Sequence, residues 1–275
     1  MAAIDQAALA PALRILRSTL WAGARVASIA LLLAAWEMVA RSGIVTPFQL
    51  PALSNVLERI WNDAVSGDLA INTAVTLYRA MVGFFIAAAG GIVLGMAMAR
   101  NHVARWFFDP IISVGFPMPK IAFLPVVILW LGVFDISKIT MIVFDAIFPV
   151  VAATVIAIEG VEREWIWSAR NMGARERDLL WQIILPAALP TIMTGLQVAL
   201  PLSLIVAVVT EMLMGGYGLG GAMMTASRFA NSTGVFAGIV EIAVVGYALV
   251  KAMVLIRRRL LIWHQEAEAD SYKHV

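Results

Sequence analysis

Apolar residues run along this chain in long blocks separated by short charged clusters. The blocks lie at roughly 24–41, 77–99, 107–132, 138–158, 189–213 and 234–256, each near the about 20 residues a helix needs to cross a bilayer. They predict an all-α membrane protein with six spans. The first block carries Glu37 near one end, and the third is interrupted by Pro110, Pro117, Pro119 and Pro125. These prolines predict a kinked or partly unwound span. Irregular backbone at membrane depth persists only where protein or water satisfies it, so this span is a candidate to line a cavity. Gly83, Ala87, Gly91, Gly95 and Ala99 recur every four residues in the second block. Such a stripe lets helices approach closely, either within one bundle or between subunits.

Two connections have patterns of their own. In LPALSNVLERIWNDAV, Leu53, Val56, Leu57, Ile60, Trp61 and Ala64 share one face, and Asn55 and Glu58 stand at N-cap and N3 spacing. This predicts a short amphipathic helix, lying on the outer membrane surface or packed on the bundle. The 159–188 connection is longer and holds Glu159, Glu162, Arg163, Glu164, Arg170, Arg175, Glu176, Arg177 and Asp178. A charge at the centre of a span costs roughly 2.5–3.5 kcal/mol against about 0.3–0.6 returned by a good apolar residue, so this segment lies outside the lipid. Residues 161–171 suit a helix with Trp165, Ala169 and Met172 near one face. Gly173 is placed to end it in a left-handed conformation. A second short helix is predicted from Arg175 to Leu185, with Leu179 and Ile183 on one stripe and Leu180 and Ile184 on the next. Pro186 and Pro190 are then expected to bend the chain back towards the membrane. An ordinary solvated loop can carry this charge. A hairpin with two apolar stripes is more than a linker requires and suits a docking element.

Composition agrees with the blocks. Of 275 residues, 61% are hydrophobic and 14% charged, with a mean hydropathy of +0.88. A soluble domain has about 45–50% apolar and about 25% charged residues. The formal net charge of +2 gives no nucleic-acid footprint. Its distribution is more informative. Thirteen basic residues fall on one side of the six-span pattern: Arg14, Arg17, Arg25, Arg100, Arg105, Arg163, Arg170, Arg175, Arg177, Arg257, Arg258, Arg259 and Lys273. Four fall on the other: Arg41, Arg59, Lys138 and Arg228. This excess places both termini and the 159–188 loop in the cytoplasm. The N-terminus shows no small-residue cleavage site, and the run near 26–40 reads as a retained span. There is no cysteine, which excludes disulfides and thiol chemistry, and His102, His264 and His274 have no metal-ligand spacing. GGYGLGG at 215–221 lacks the GxxxxGK[ST] phosphate loop and reads as a flexible external turn.

At SARNMGARERDLLWQIILPAALP, residues 168–190, the chain resembles the EAA-motif loop of ABC-importer membrane subunits. Ser168, Ala169 and Arg170 stand at the motif start in place of Glu-Ala-Ala. Gly173 and Ala174 stand at the motif glycine and its successor, Arg175 follows, and Leu185-Pro186 closes the motif. LPALSNVLERIW, GFPMPKIAFLPVVILWLGVFDISKI and AVVTEMLMGGYGLGG resemble segments of the sulfonate, taurine and nitrate branch, in the same order, so that the likeness covers roughly residues 36–263. The resemblance implies a type I importer permease of the bacterial inner membrane, divided into residues 1–68 (first span and external amphipathic helix), a core at 69–257 and a cytoplasmic tail at 258–275. It implies a homodimer served by two cytoplasmic ABC ATPase subunits, with a periplasmic or lipid-anchored binding protein delivering a small anion such as an alkanesulfonate, taurine or nitrate. Ser168, Ala169, Arg170, Gly173, Ala174, Arg175, Leu185 and Pro186 would then couple to the ATPase. ATP and Mg are expected on that partner, and no cofactor or metal on this chain.

Ionisable residues within the spans pair with one another or line a path. Arg79, Pro117, Pro119, Lys120, Asp145, Glu211 and Glu241 are the path candidates, with Arg79 and Lys120 able to attract an anion. Asp145 and Glu241 would equally suit a secondary transporter driven by an ion gradient. That class has no need of a charged hairpin and often shows two repeated halves, which are not visible in this sequence. An intramembrane enzyme would want a nucleophile–base or metal constellation, and the sequence offers none.

Overall fold

The computed structural model describes residues 27–262. Arg14, Arg17, Arg25, Lys273, His264 and His274, and the outer ends of the first block and of the 258–275 tail, lie outside the described residues. The first helix, α1, is helical over residues 27–41. Glu37 is neutralised there by Arg41 at 2.6 Å. It also accepts from the hydroxyl of Ser54 at 3.0 Å and from its backbone N–H at 3.2 Å.

Those bonds decide where α2 (Leu53–Ser66) begins. The expected N-cap was Asn55, but the helix starts earlier, with Ala52 at the cap and no capping side chain of its own. Glu37 from α1 satisfies a free N–H of the first turn instead, and a carboxylate there also suits the helix dipole. α2 packs on α11 and α3. Val56 is buried, whereas Leu57 and Trp61 on the neighbouring stripe are exposed. The amphipathic helix therefore rests on the bundle by one edge and presents the other outward.

Gly67, at φ +87°, turns the chain into α3 (Asp68–Arg100). α4 (His102–Gly115) follows, its first turn capped by Asn101 accepting from Val103 N–H at 2.8 Å. A 3-10 turn at Lys120–Phe123 leads into α5 (Leu124–Leu131). The two arms of this predicted third span are bent by 96°, with Pro117 and Pro119, which cannot donate to a helical ladder, in the break. α6 (Asp135–Glu159) and α9 (Leu185–Met214) pack with α3 into the core of the molecule. A Cβ on Gly91 would sit 2.8 Å from Val150 of α6, and one on Gly95 2.6 Å from Thr154. The small-residue stripe is therefore an internal seam of this bundle.

Between α6 and α9 come α7 (Arg163–Asn171) and a short helical turn, α8 (Glu176–Asp178). A π-helical segment at Leu179–Ile184 joins α8 to α9. The expected bend at Pro186 and Pro190 is not a break, because the helix runs on through both. Pro186 falls in the first turn of α9, where a missing N–H is tolerated, and the wider π turns precede it. The π register also changes the expected stripes: Leu179 and Ile184, five apart, are buried together, and Ile183 is only half-buried. α10 (Leu219–Arg228) and α11 (Ser232–Leu260) are the last helices of the described residues.

Among the described residues, four helical runs are long and apolar enough to cross a membrane, and five if the bent pair counts as one span. The sixth expected span rests on α1, whose described part, 27–41, is shorter than a crossing. α11 buries almost none of its apolar length against this chain, leaving it for lipid or another subunit.

Candidate functional site

The 159–188 connection folds as a helical hairpin. α7 ends at Gly173, whose φ of +88° is the left-handed stop expected from the sequence. Gly173 N–H donates to the Arg170 carbonyl at 2.9 Å, and Ala174 N–H to the Ala169 carbonyl at 3.0 Å. This pair of bonds is the Schellman arrangement, which satisfies the last carbonyls of α7. The next turn starts with Asp178 accepting from Arg175 N–H at 3.2 Å. Glu176 takes Arg170 at 2.9 Å and Arg100, at the end of α3, at 3.1 Å. Arg105 pairs with Glu159 beside it. Beneath the charged tip, Val161, Ile184, Ala188 and Ile192 form an apolar base with the end of α6. Of the eight sequence-predicted loop residues, Ala169 is buried and Ala174 and Leu185 half-buried. Ser168, Arg170, Gly173, Arg175 and Pro186 are exposed. Trp165, Ser168, Ala169 and Met172 form one wall of an open groove, and Ile183, Pro186 and Pro190 the other. Trp165, Trp167, Met172 and Trp181 are all exposed on this charged segment.

The candidate path residues fall into three groups. Arg79 and Glu211 close on each other at 2.7 Å, with side-chain exposures of 5% and 0%. Arg79 also meets Asp135 at 2.7 Å, and Glu211 accepts from the hydroxyl of Thr76 at 2.9 Å. Around this pair the 215–221 segment is held by five hydrogen bonds. Arg79 donates to the Tyr217 carbonyl at 2.7 Å and Lys138 to the Gly215 carbonyl at 2.8 Å. Asn72 accepts from Gly218 N–H at 2.9 Å, Thr76 from Leu219 N–H at 2.9 Å and Glu211 from Gly220 N–H at 3.1 Å. GGYGLGG is thus a clamped turn, contrary to the flexible one expected. Gly218, Gly220 and Gly221 are required by space, since a Cβ on Gly218 would run into the Glu211 carboxylate, one on Gly220 into the Val208 carbonyl and one on Gly221 into the Gly216 carbonyl. Sequence reasoning missed Asn72, Thr76, Asp135 and Lys138 as members of this clasp. A signal existed: Asn72, Thr76 and Arg79 recur at i, i+4 and i+7, a polar stripe on an otherwise apolar helix.

Lys120 and Asp145 form the second group, 3.3 Å apart, with Pro117 and Pro119 exposed in the adjoining break. Glu241 stands apart in the third. It lines a cavity of about 540 Å³ with Arg59, Asp63, Asn72, Tyr217 and Asn231, and its Oε1 is buried without a hydrogen-bond partner among the described residues. In the same cavity the Asp63 carboxylate, 2.8 Å from Arg59, raises the pKa of that guanidinium through their hydrogen bond. Among the described residues no His, Asp and Glu cluster could hold a metal ion.

Residues 91–262 match the family described as binding-protein-dependent transport system inner membrane component. The chain is 33% identical over 248 residues to the taurine transport system permease protein TauC of Escherichia coli (strain K12), covering 88% of this chain and 90% of that one. It is 31% identical over 239 residues to the putative aliphatic sulfonates transport permease protein SsuC of Bacillus subtilis (strain 168), covering 87% of each. Its fold is like that of a chain of the MetNI methionine ABC transporter in an inward-facing conformation, with a TM-score of 0.64 and 19% identity. That alignment covers 72% of this chain and 98% of the MetNI chain.

Proposed function

Since the chain belongs to the binding-protein-dependent transport inner membrane component family and is an ABC-importer permease, we propose that its importer carries a small sulfonate anion, with taurine and short alkanesulfonates as the first candidates. The observation that carries this reading of the cargo is likeness across 88% of the chain to a taurine permease, with a sulfonate permease of the second organism close behind. A family likeness of this kind favours the importer over a secondary transporter. Of the two carboxylates that would suit a proton- or sodium-driven carrier, Asp145 sits beside Lys120, whereas Glu241 lines the cavity with Arg59 and Asp63.

The hairpin at 163–190 is the element through which a partner ATPase would act. Tryptophans exposed on a segment too charged for lipid suit a protein contact, since aromatic side chains are enriched at interface cores. The base of the hairpin is continuous with α9, so a push on the tip is transmitted along a helix that reaches the opposite face. ATP and Mg bind and react on that separate subunit. We place the hairpin and both termini in the cytoplasm, from the asymmetry of Lys and Arg. Two copies of this chain would pair with two ATPase subunits; the uncovered face of α11 would meet lipid or the second copy, and the exposed break of the bent span water or the second copy.

The test is reconstitution. The permease is reconstituted with its ATPase and binding protein in liposomes with ATP inside, and uptake of radiolabelled taurine and ethanesulfonate is measured. Uptake that requires ATP and the binding protein is expected. ATP-driven uptake of neither anion refutes the cargo, and uptake driven by an ion gradient without ATP refutes the importer. Native mass spectrometry of the complex reads the stoichiometry, and one copy of this chain per complex refutes the homodimer.

A further inference from the structure

We propose that Lys120 is the intramembrane binding group for the transported anion, and that Asp145 is the counter-ion which the anion displaces. This rests on the reading of the chain as a permease for an anion. It names the residue that would meet the cargo between the two faces of the membrane.

Depth is the first argument. Asp145 lies ten residues from the start of α6 and fourteen from its end, so roughly 15 Å of helix separates it from the nearer end. Half the hydrocarbon thickness is also about 15 Å, which puts the pair near the bilayer midplane. Charges there are costly and mark a path unless they are fully enclosed.

The comparison with Arg79 and Glu211 separates a structural pair from an open one. That pair closes at 2.7 Å with exposures of 5% and 0%, and Glu211 has further donors in Thr76 and Gly220. Lys120 and Asp145 stand at 3.3 Å with exposures of 9% and 21%. A relaxed charge-assisted bond is about 2.7–2.9 Å, so this one is long. The carboxylate also keeps accessible surface. The ammonium itself is well placed. It donates to the Phe116 carbonyl at 2.9 Å and lies 4.7 Å from the centre of the Phe148 ring. Carbonyl and ring hold the cation without neutralising it, leaving Asp145 as the one anionic partner among the described residues.

Backbone geometry gives the third argument. Lys120 opens the turn at the 96° break, and Phe116, Pro117 and Pro119 of that break are exposed. Non-helical backbone at this depth does not face lipid, so the break lies against protein or water. A sulfonate arriving from that side meets an ammonium whose present partner is loosely held, and its acceptor oxygens suit the rotatable N–H donors of a lysine.

The test uses the reconstituted complex, ethanesulfonate as probe, and four variants. Lys120→Gln is expected to lower the ATP-driven uptake rate about tenfold or more, the loss of one hydrogen bond to a charged group. ATP hydrolysis stimulated by the binding protein should stay at the wild-type level. Lys120→Arg should keep most uptake, and Asp145→Asn should lower the ethanesulfonate concentration that half-saturates uptake, because the ammonium is released. The deciding variant is Lys120→Gln with Asp145→Asn, which leaves no unpaired charge to disturb folding. If it remains as defective as Lys120→Gln, the cation itself is needed. If it regains wild-type uptake, the pair is structural and the proposal is overturned. Wild-type uptake of ethanesulfonate is the control on the functional reading. Its absence refutes that reading, whereas wild-type uptake with an equally active Lys120→Gln variant refutes this proposal alone.

Discussion

Replacing Gly173 tests whether the shape of the hairpin, rather than its charge, engages the ATPase. The residue sits at φ +88°, and a Cβ built there meets no atom within 4 Å. No steric clash adds to the cost, so the penalty is purely conformational. A left-handed backbone costs an L-residue about 1–2 kcal/mol, least for Asn and most for a β-branched side chain. Gly173→Asn should therefore cost a few tenths of a kcal/mol, Gly173→Ala about 1 and Gly173→Val about 2 or more. Against that stand two capping hydrogen bonds and the exposed Arg170–Glu176 pair, and an exposed pair contributes little. α7, at nine residues, is too short to hold its own shape. Because about 1.4 kcal/mol is a tenfold change, the docking-competent hairpin should fall about fivefold for Ala and more than tenfold for Val. The permease in lipid nanodiscs, titrated with fluorescent ATPase subunit, should show apparent affinities in the order Gly, Asn, Ala, Val. Thermal unfolding of the bundle in the same particles should not move, since the buried seam between α3, α6 and α9 is untouched. A Val variant that binds the ATPase as well as wild type refutes the reasoning. So does loss of the Ala variant from the membrane, which would make Gly173 a folding residue.

Arg79→Met leaves the Glu211 carboxylate buried without its cation and should destabilise the detergent-solubilised protein by about 3–5 kcal/mol, whereas Arg79→Met with Glu211→Gln should recover part of that loss; a double variant no better than the single one refutes a charge-based clasp. Gly91→Leu forces a side chain into the space of Val150 and should lower the thermal midpoint at a cost of about 1–3 kcal/mol, while the same change at Gly90, which has more room, should cost less; equal effects refute the seam. A cysteine at position 62 (Asn62→Cys) should be labelled from outside intact cells by an impermeant thiol reagent and one at position 175 (Arg175→Cys) should not; the reverse pattern refutes the orientation.

Much of the architecture was legible because lipid imposes a simple rule. Every span has to be long and apolar, so the runs at 77–99, 138–158, 189–213 and 234–256 all fall within helices of the structure. The charges of 159–188 set that segment apart from the apolar runs, and Gly173 marked its turn because only backbone geometry was needed to place it. The break in the third span followed from prolines that cannot donate.

Partners across the fold were another matter. Nothing local to Asn55 says that Glu37, eighteen residues earlier, supplies the acceptor that starts α2 three residues ahead of expectation. The stripes of 179–184 were read with an α-helical period, and a π-helical register replaced it where the chain enters α9 ahead of Pro186. GGYGLGG looked flexible because glycine is permissive in isolation. Its order comes from Asn72, Thr76, Arg79, Lys138 and Glu211, which three helices bring to it.

The sequence by itself determined which segments form long apolar helices, which are too charged to do so and where the hairpin turns, because those outcomes depend on burial cost and backbone preference at each position. Only the tertiary structure decided which charges neutralise one another. Arg79, Lys120, Asp145 and Glu211 are equally anomalous when read along the chain. Packing made one pair a closed clasp at 2.7 Å and left the other open at 3.3 Å beside a broken span, since a Coulomb partner is set by distance in space and not by position in sequence.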